Sequence, residues 1–325
     1  MSASLLEVEG MVVTLHSRHG DHDIVHAIDL RLAPGETLGV VGESGSGKTL
    51  TMLAVLRLLT PPLEMTRGAV RFEGDDITAL SEPEMRALRG NRMAMVYQDP
   101  MTSLNPLMRI GDQVVESMTA HGVPGKEASR RALETLARVE MPDPERTAKA
   151  YPHELSGGMR QRALIATALA MDPTLLIADE PTTALDVTIQ RQILALVKEL
   201  SSEARMTTIW VTHDLGVIAR LVDRVVVMYG GYVVEDAPVD QIFHAPQHPY
   251  TRRLLQSLPN PADDSRPPLA QISGRPPLPS ERIEGCPFRP RCEEARDVCA
   301  TRPQLEQRLD GRVACWVPAD EWGTG

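Results

Sequence analysis

Cysteine is absent from the first 285 residues, and all four thiols fall between Cys286 and Cys315. A secreted disulfide scaffold spreads its bridges through a short chain, so this pattern points instead to one local site. Also missing is any apolar run near the roughly 18 residues of a membrane span. The longest candidates, Ala163 to Met171 and Val225 to Tyr229, are far shorter. The opening Met1-Ser2-Ala3-Ser4-Leu5-Leu6-Glu7 lacks the basic start and apolar stretch of a secretory signal, so a cytoplasmic chain is expected. There is no basic surplus: 34 Lys and Arg stand against 44 Asp and Glu, a net charge of −10. That argues against a general nucleic-acid binder while leaving room for a local basic patch. No internal repeat occurs. What is present is 325 residues with 42% apolar content, enough for about two domains with real cores.

The chain is organised around Gly42-Glu43-Ser44-Gly45-Ser46-Gly47-Lys48-Thr49, which reads as a phosphate cradle. Glycines let successive backbone N–H groups turn toward an anion, and the helix that follows adds the positive end of its dipole. Lys48 would reach the β- and γ-phosphates and Thr49 would hold Mg²⁺. The flanks agree: Thr37 to Val41 is a short β-rich apolar run, and Lys48 to Leu59 is helix-permissive until Thr60-Pro61-Pro62 stops it.

Ahead of the loop, Leu5 to Leu15 and Ile24 to Leu32 read as antiparallel strands around a turn at Gly20-Asp21. Behind it come strands at Gly68 to Gly74 and Met93 to Tyr97. From Pro100 to about Leu155 strand signals stop, while Ile110 to His121 and Lys126 to Val139 read as helices, a helical insertion. Strands then alternate with helices again in the manner of a parallel α/β sheet: Leu175 to Ala178, Thr207 to Thr212 and Val225 to Tyr229, with a helix marked by Ile189, Ile193, Val197 and Leu200. Past about Asp240, 13 of the chain's 26 prolines crowd the last 85 residues, which predicts a separate loop-rich unit.

Candidate chemistry sits at strand ends. Leu175 to Glu180 is an apolar strand ending in two carboxylates, Asp179 suited to orienting a Mg²⁺ shell and Glu180 to polarising a water that attacks the γ-phosphate. Gln98 follows the strand Met93 to Tyr97 and can complete the metal shell. His213 follows Thr208 to Thr212 and is placed to hydrogen-bond a γ-phosphate oxygen. Alone, Gln98 and His213 read as structural; their shared position is what singles them out. Leu155-Ser156-Gly157-Gly158-Met159-Arg160-Gln161-Arg162 is a second glycine-led helix start, where Ser156, Gly157 and Gly158 would form another anion site. Two phosphate sites with one Lys-Thr metal site suggest that Ser156 to Gly158 completes the pocket of a facing subunit.

At this point the chain resembles the ATP-binding subunits of ABC transporters. Gly42 to Thr49 matches the Walker A motif, Gln98 the Q-loop, Leu155 to Gln161 the signature, Leu175 to Glu180 the Walker B motif with its catalytic glutamate, Ala184-Leu185-Asp186 the D-loop, and His213 the switch histidine. The resemblance implies a P-loop NTPase (RecA-like) α/β core with an antiparallel β subdomain and a helical insertion at about 100–160, together spanning 1–240. It also implies a head-to-tail dimer closing on two ATP molecules, Mg²⁺ held by Thr49, Gln98 and Asp179, and Asp186 beside the nucleotide. Further residues, Gln98 to Pro106, the Met159-Arg160 form of the signature and His248-Pro249-Tyr250-Thr251, resemble the oligopeptide, dipeptide and nickel importer branch. That branch implies a second, different ATPase subunit, two transmembrane permeases, an extracytoplasmic solute-binding protein and a peripheral place on the cytoplasmic face of the inner membrane. The family stacks adenine on an aromatic residue, but the aligned position is Leu15. His16, His19, His22 or Val25 stand nearby, and the adenine contact stays open.

The gaps between Cys286, Cys292, Cys299 and Cys315 are five, six and fifteen residues. Four thiolates suit Zn²⁺ or an iron–sulfur cluster, and the spacing is neither a usual zinc pattern nor a common ferredoxin one. The frame Gly285 to Cys292, with Val313-Ala314-Cys315, resembles the C-terminal extension, here 241–325, of peptide-importer ATPases, which implies a 4Fe-4S cluster stapling a tail poor in core. Two other readings compete: a non-transport ABC ATPase acting on nucleic acid or ribosomes, and a regulatory ATPase whose tail senses redox state. The first usually carries two ATPase units or a coiled-coil insertion, and neither is present.

Overall fold

The structure, a computed structural model, describes residues 4–18, 20–182, 186–258, 272–278, 281 and 283–323. The chain divides into two compact units, one of 1–32, 37–78 and 211–325, the other of 33–36 and 79–210.

In the first unit, alternating apolar residues build an antiparallel sheet. Leu6–Ser17 lies between Gly20–Leu32 and Leu63–Phe72, with Asp75–Asp76 at the edge beyond. Register runs from Leu6 opposite Leu32 to Ser17 opposite Gly20, and Leu6 also faces Phe72. Leu6, Val8, Met11, Val13, Leu30 and Phe72 are buried, and the helix Lys48–Val55 packs on this sheet. The helix is shorter than the expected Lys48 to Leu59: Arg57 takes a left-handed φ of 52°, which breaks the helix before the prolines do. The strand expected at Gly68 begins at Leu63, five residues earlier.

The same unit holds Thr37–Val41 in parallel with Arg224–Tyr229, Leu38 opposite Arg224 and Val41 opposite Val227. Tyr232–Pro238 runs antiparallel to Arg224–Tyr229. The proline-rich tail contributes helices at Val239–His244 and Pro249–Gln256, and a hairpin, Glu306–Arg308 with Gly311–Val313, that adds to Tyr232–Pro238. Buried Asp236 pins that hairpin, accepting from Arg224 Nη1 and Arg312 Nη2 at 2.6 Å each. Two partnered cations offset the desolvation of this carboxylate. An aromatic cluster locks the tail to the sheet: Tyr229, Tyr250 and Phe288 have ring centroids 4.6–5.3 Å apart and are almost wholly buried.

In the second unit Met93–Val96 runs parallel to Leu175–Asp179, Met93 opposite Leu175, and Thr207–Thr212 lies on the other side of Leu175–Asp179. These strands are buried on both faces, as a parallel sheet covered by helices requires. Between them the expected insertion appears as Ile110–Thr119, Gly125–Arg138 and Pro144–Ala148, which pack on one another, the first two also packing on Gly157–Leu169. No helix among the described residues is long and apolar enough to cross a membrane.

Candidate nucleotide site

The phosphate loop leaves the end of Thr37–Val41 and enters Lys48–Val55. Gly42, Gly45 and Gly47 all have positive φ (154°, 79° and 94°). A Cβ on Gly42 would lie 2.1 Å from the Met228 carbonyl oxygen, so the close approach of the loop to the neighbouring strand demands glycine. Gly47 is the N-cap of the helix, in a left-handed conformation and without a side chain to cap it. Lys48 is buried (5% exposed) and donates to the carbonyl oxygens of Gly42 (2.8 Å) and Glu43 (3.1 Å). Ser46 is buried, while Ser44, Gly45 and Thr49 are exposed.

Glu43 is held from outside the loop. Its N–H donates to the Tyr250 hydroxyl (2.8 Å), and its carboxylate accepts from Arg291 Nη1 (2.6 Å) and Nη2 (3.0 Å). Nothing in the sequence singled out Tyr250 or Arg291 for this; both stood only inside segments quoted for their resemblance. His213, in the same unit, is exposed just after Thr207–Thr212, and Asp214 beside it caps the next turn by accepting from Gly216 N–H (2.8 Å).

The second unit carries the other candidates. Asp179 is buried at the end of its strand, and Glu180 next to it has a left-handed φ of 44°, a strained conformation for a residue with a side chain. Gln98 Nε2 donates to Glu180 Oε2 (3.0 Å), so the structure brings these two together across 82 residues of sequence. Ser156 caps Gly157–Leu169, its Oγ accepting from Met159 N–H (3.3 Å), and Ser156 and Gly157 are exposed. A Cβ on Gly158 would meet Ile189 Cγ2 at 2.9 Å, so this helix start packs against the following one. Asp186 caps Val187–Glu203, accepting from the N–H groups of Thr188 (3.0 Å) and Ile189 (2.9 Å). Ala184 and Leu185 lie outside the described residues, as does His19.

A cavity of about 530 Å³ opens beside Gly45, lined among others by His22, Ile24, His26, Gly230 and Tyr232. His26 and Tyr232 stack at 4.1 Å and 4°, Arg302 lies 4.6 Å over Tyr232, and burial pushes the His26 imidazole down to about 4, which keeps it neutral. Of the residues named for adenine, His22 lines this cavity. Leu15 sits within the sheet opposite His22 and Leu63, His16 bonds Asp21 (3.0 Å), and Val25 is core.

All four cysteines are free thiols and line one small pocket together with His248 and Phe288. Burial pushes Cys286 up to about 11 and Cys292 up to about 12, so a ligand that takes them as thiolates must displace their protons. Among the described residues no three His, Cys, Asp or Glu are grouped so as to hold a metal ion.

A phosphate loop, a strand ending in paired carboxylates and a capped glycine-led helix define a nucleotide hydrolase of the phosphate-loop class. The comparisons are narrower. The ABC transporter model matches residues 25–183, and the model of the oligopeptide/dipeptide transporter C-terminal region matches 234–299. A putative peptide import ATP-binding protein of Brucella abortus is 46% identical over 318 residues, covering 98% of this chain and 95% of that protein. The oligopeptide transport ATP-binding protein OppD of Salmonella typhimurium is 45% identical over 319 residues, with the same coverage. Among solved structures, a dimeric ATP-binding cassette in a post-hydrolysis state bound to ADP and Pi matches with TM-score 0.65 and 29% identity, covering 72% of this chain and 98% of that one. The chain belongs to the ATP-binding proteins of ABC transporters and has their P-loop ATPase fold.

Proposed function

We propose that the chain is the ATP-hydrolysing subunit that powers an ABC importer of oligopeptides, dipeptides or a related small solute. One observation carries this reading: a single chain matches both the ABC transporter model and the peptide-transporter C-terminal region, with near full-length likeness to peptide import ATP-binding proteins.

The reaction is ATP plus water to ADP plus phosphate. Loop amides from Ser44 to Thr49 receive the phosphates, and Lys48 turns from the loop carbonyls toward the β- and γ-oxygens. Thr49, Asp179 and Gln98 would supply the hard oxygen donors that suit Mg²⁺, and the ion would contribute charge neutralisation of the phosphates. The Gln98 nitrogen is engaged with Glu180, which leaves its carbonyl oxygen as the atom for a cation. Glu180, oriented by that bond, accepts the hydrogen bond of the attacking water, and His213 bonds the γ-phosphate. Ser156, Gly157 and Gly158, at a helix start where the first two are exposed, serve the partner's ATP, with Asp186 beside them. Adenine enters the cavity beside Gly45, next to the His26–Tyr232 stack.

On this reading the ATPase domain is 1–240 and the extension 241–325. The partners are a second, different ATPase subunit, two permeases and, indirectly, an extracytoplasmic solute-binding protein, with no nucleic acid, and the chain sits on the cytoplasmic face of the inner membrane. Cys286, Cys292, Cys299 and Cys315 hold a 4Fe-4S cluster, with Zn²⁺ as the alternative. What supports a metal group here is that the four thiols line one pocket, since thiolate sulfur is a ligand for both. The test is purification of the native complex in mild detergent. Two permeases and a second ATPase are expected, with about four iron and four labile sulfide per chain. Ribosomes or DNA in their place would overturn the transport reading, and zinc without iron the cluster.

A further inference from the structure

The residue that joins the C-terminal extension to the phosphate loop is Arg291. It belongs to the short turn Arg289–Arg291 and immediately precedes Cys292. Its side chain is 4% exposed, and each of its five N–H donors has an acceptor. Nε donates to the Ser273 carbonyl (2.9 Å), Nη1 to Glu43 Oε2 (2.6 Å) and the Tyr229 hydroxyl (3.1 Å), and Nη2 to Glu43 Oε1 (3.0 Å) and the Ile272 carbonyl (3.0 Å). A guanidinium with every donor used has one orientation, and here that orientation presents a bidentate fork to Glu43.

Glu43 is the first residue after Gly42 in the phosphate loop. Besides the fork, its N–H donates to Tyr250 in the extension, and its carbonyl accepts from Lys48. Tyr250 in turn is buried against Tyr229 and Phe288. The loop therefore has a side-chain anchor and a backbone anchor, both supplied from beyond residue 248 and both reaching one residue.

We propose that Arg291 and Tyr250 are positioning residues for the ATP site: through Glu43 they hold the phosphate loop in its receiving shape, so that the extension is a working part of nucleotide binding. A loop held beforehand does not have to be ordered when the phosphates arrive, and that ordering cost otherwise comes out of affinity. Neither residue needs to touch ATP. The proposal rests on the reading of Gly42 to Thr49 as the nucleotide site.

The test uses the full-length chain with ADP in calorimetry, and the assembled importer for ATPase kinetics. Glu43→Gln, Tyr250→Phe, Arg291→Lys and the double variant Glu43→Gln with Arg291→Lys are compared with wild type. Glu43→Gln and Arg291→Lys are each expected to weaken ADP binding by roughly 5- to 30-fold, in line with loss of a charge-assisted hydrogen bond, and Tyr250→Phe by roughly 2- to 10-fold, because the bond it removes is neutral. The ATP KM should rise in parallel, while for Tyr250→Phe and Arg291→Lys kcat at saturating ATP stays within about twofold. The double variant should lose little more than the worse single, because both remove the same bond. A purely structural anchor would lower the melting temperature of all variants yet leave ADP affinity and KM at wild-type values. That result, or fully multiplicative losses in the double variant, overturns the proposal. If Arg291→Lys does not fold, Glu43→Gln and Tyr250→Phe carry the test from the loop side. Absence of ADP binding in wild type would instead remove the nucleotide-site reading itself.

Discussion

Replacing Gly42 with alanine separates the backbone demands of the phosphate loop from its ligand contacts. Gly42 has φ 154°, and an added Cβ would stand 2.1 Å from the Met228 carbonyl oxygen and 2.8 Å from Ser46 Oγ. Met228 belongs to the strand that pairs with Thr37–Val41, so the obstruction is backbone in a buried sheet and cannot swing aside. The disfavoured conformation costs about 1–3 kcal/mol, and forcing atoms into a packed site adds roughly another 1–3 kcal/mol. Gly45→Ala is the control: its φ is 79°, but nothing lies within 4 Å of the added carbon, so only the left-handed penalty of about 1–2 kcal/mol applies. Denaturant unfolding of the nucleotide-free chain measures both variants without interference from lost phosphate contacts. Gly42→Ala should be the more destabilised by about 1–3 kcal/mol, the overpacking share. Equal losses, or a larger loss in Gly45→Ala, would refute the argument that the Met228 carbonyl fixes the glycine.

Glu180→Gln should lower ATP turnover in the assembled complex by about 10²-fold or more while nucleotide still binds, because the amide cannot take the proton of the attacking water; turnover at the wild-type rate would defeat the assignment. Glu235 is fully buried, accepts from the N–H groups of Gln247 (2.6 Å) and His248 (3.0 Å), and is pushed up by burial from 4.5 to about 7. A raised carboxyl pKa means that stability is fully present below pH 4.5 and is lost as pH climbs through about 7, on the order of 3 kcal/mol in all. His248, which burial pushes down to about 3, works in the opposite sense and loses stability as pH falls below 6.5. Between pH 4.5 and 6.5 these two slopes oppose each other, so the readout is the difference between Glu235→Gln and wild type: the variant should unfold more easily at low pH, with its amide mispaired, and gain on wild type by on the order of 3 kcal/mol from pH 4.5 to 7 in chemical denaturation, whereas a pH-independent difference would show that Glu235 does not titrate there. Phe288→Ala should cost about 3–5 kcal/mol, since it empties a fully buried aromatic site, and a melting temperature equal to wild type would contradict the anchoring cluster.

The parts of this molecule legible in its sequence are those whose physics is local. Gly42, Gly45 and Gly47 reveal the loop because each backbone position there has a positive φ. Ser156 reveals a helix start because its own Oγ closes the cap. The sequence places this strand at Gly68 and not at Leu63 because the alternation of Leu63 and Met65 is short, half-exposed and broken by Thr66-Arg67-Gly68. The hairpin at 306–313 was invisible for a different reason: Glu306-Gln307-Arg308 has no strand composition, and its partner Tyr232–Pro238 lies about seventy residues away. The bond from Arg291 to Glu43 spans 248 residues, and neither neighbourhood carries any sign of the other. What makes that bond possible is the aromatic cluster. The chain has only 3 Phe, 3 Trp and 5 Tyr, and it commits Tyr229, Tyr250 and Phe288 to one spot. A tail crowded with proline cannot build a core of its own, so it takes its order from the ATPase sheet through those three rings. Once it is fixed there, Arg291 has a single place to point, and that place is the phosphate loop.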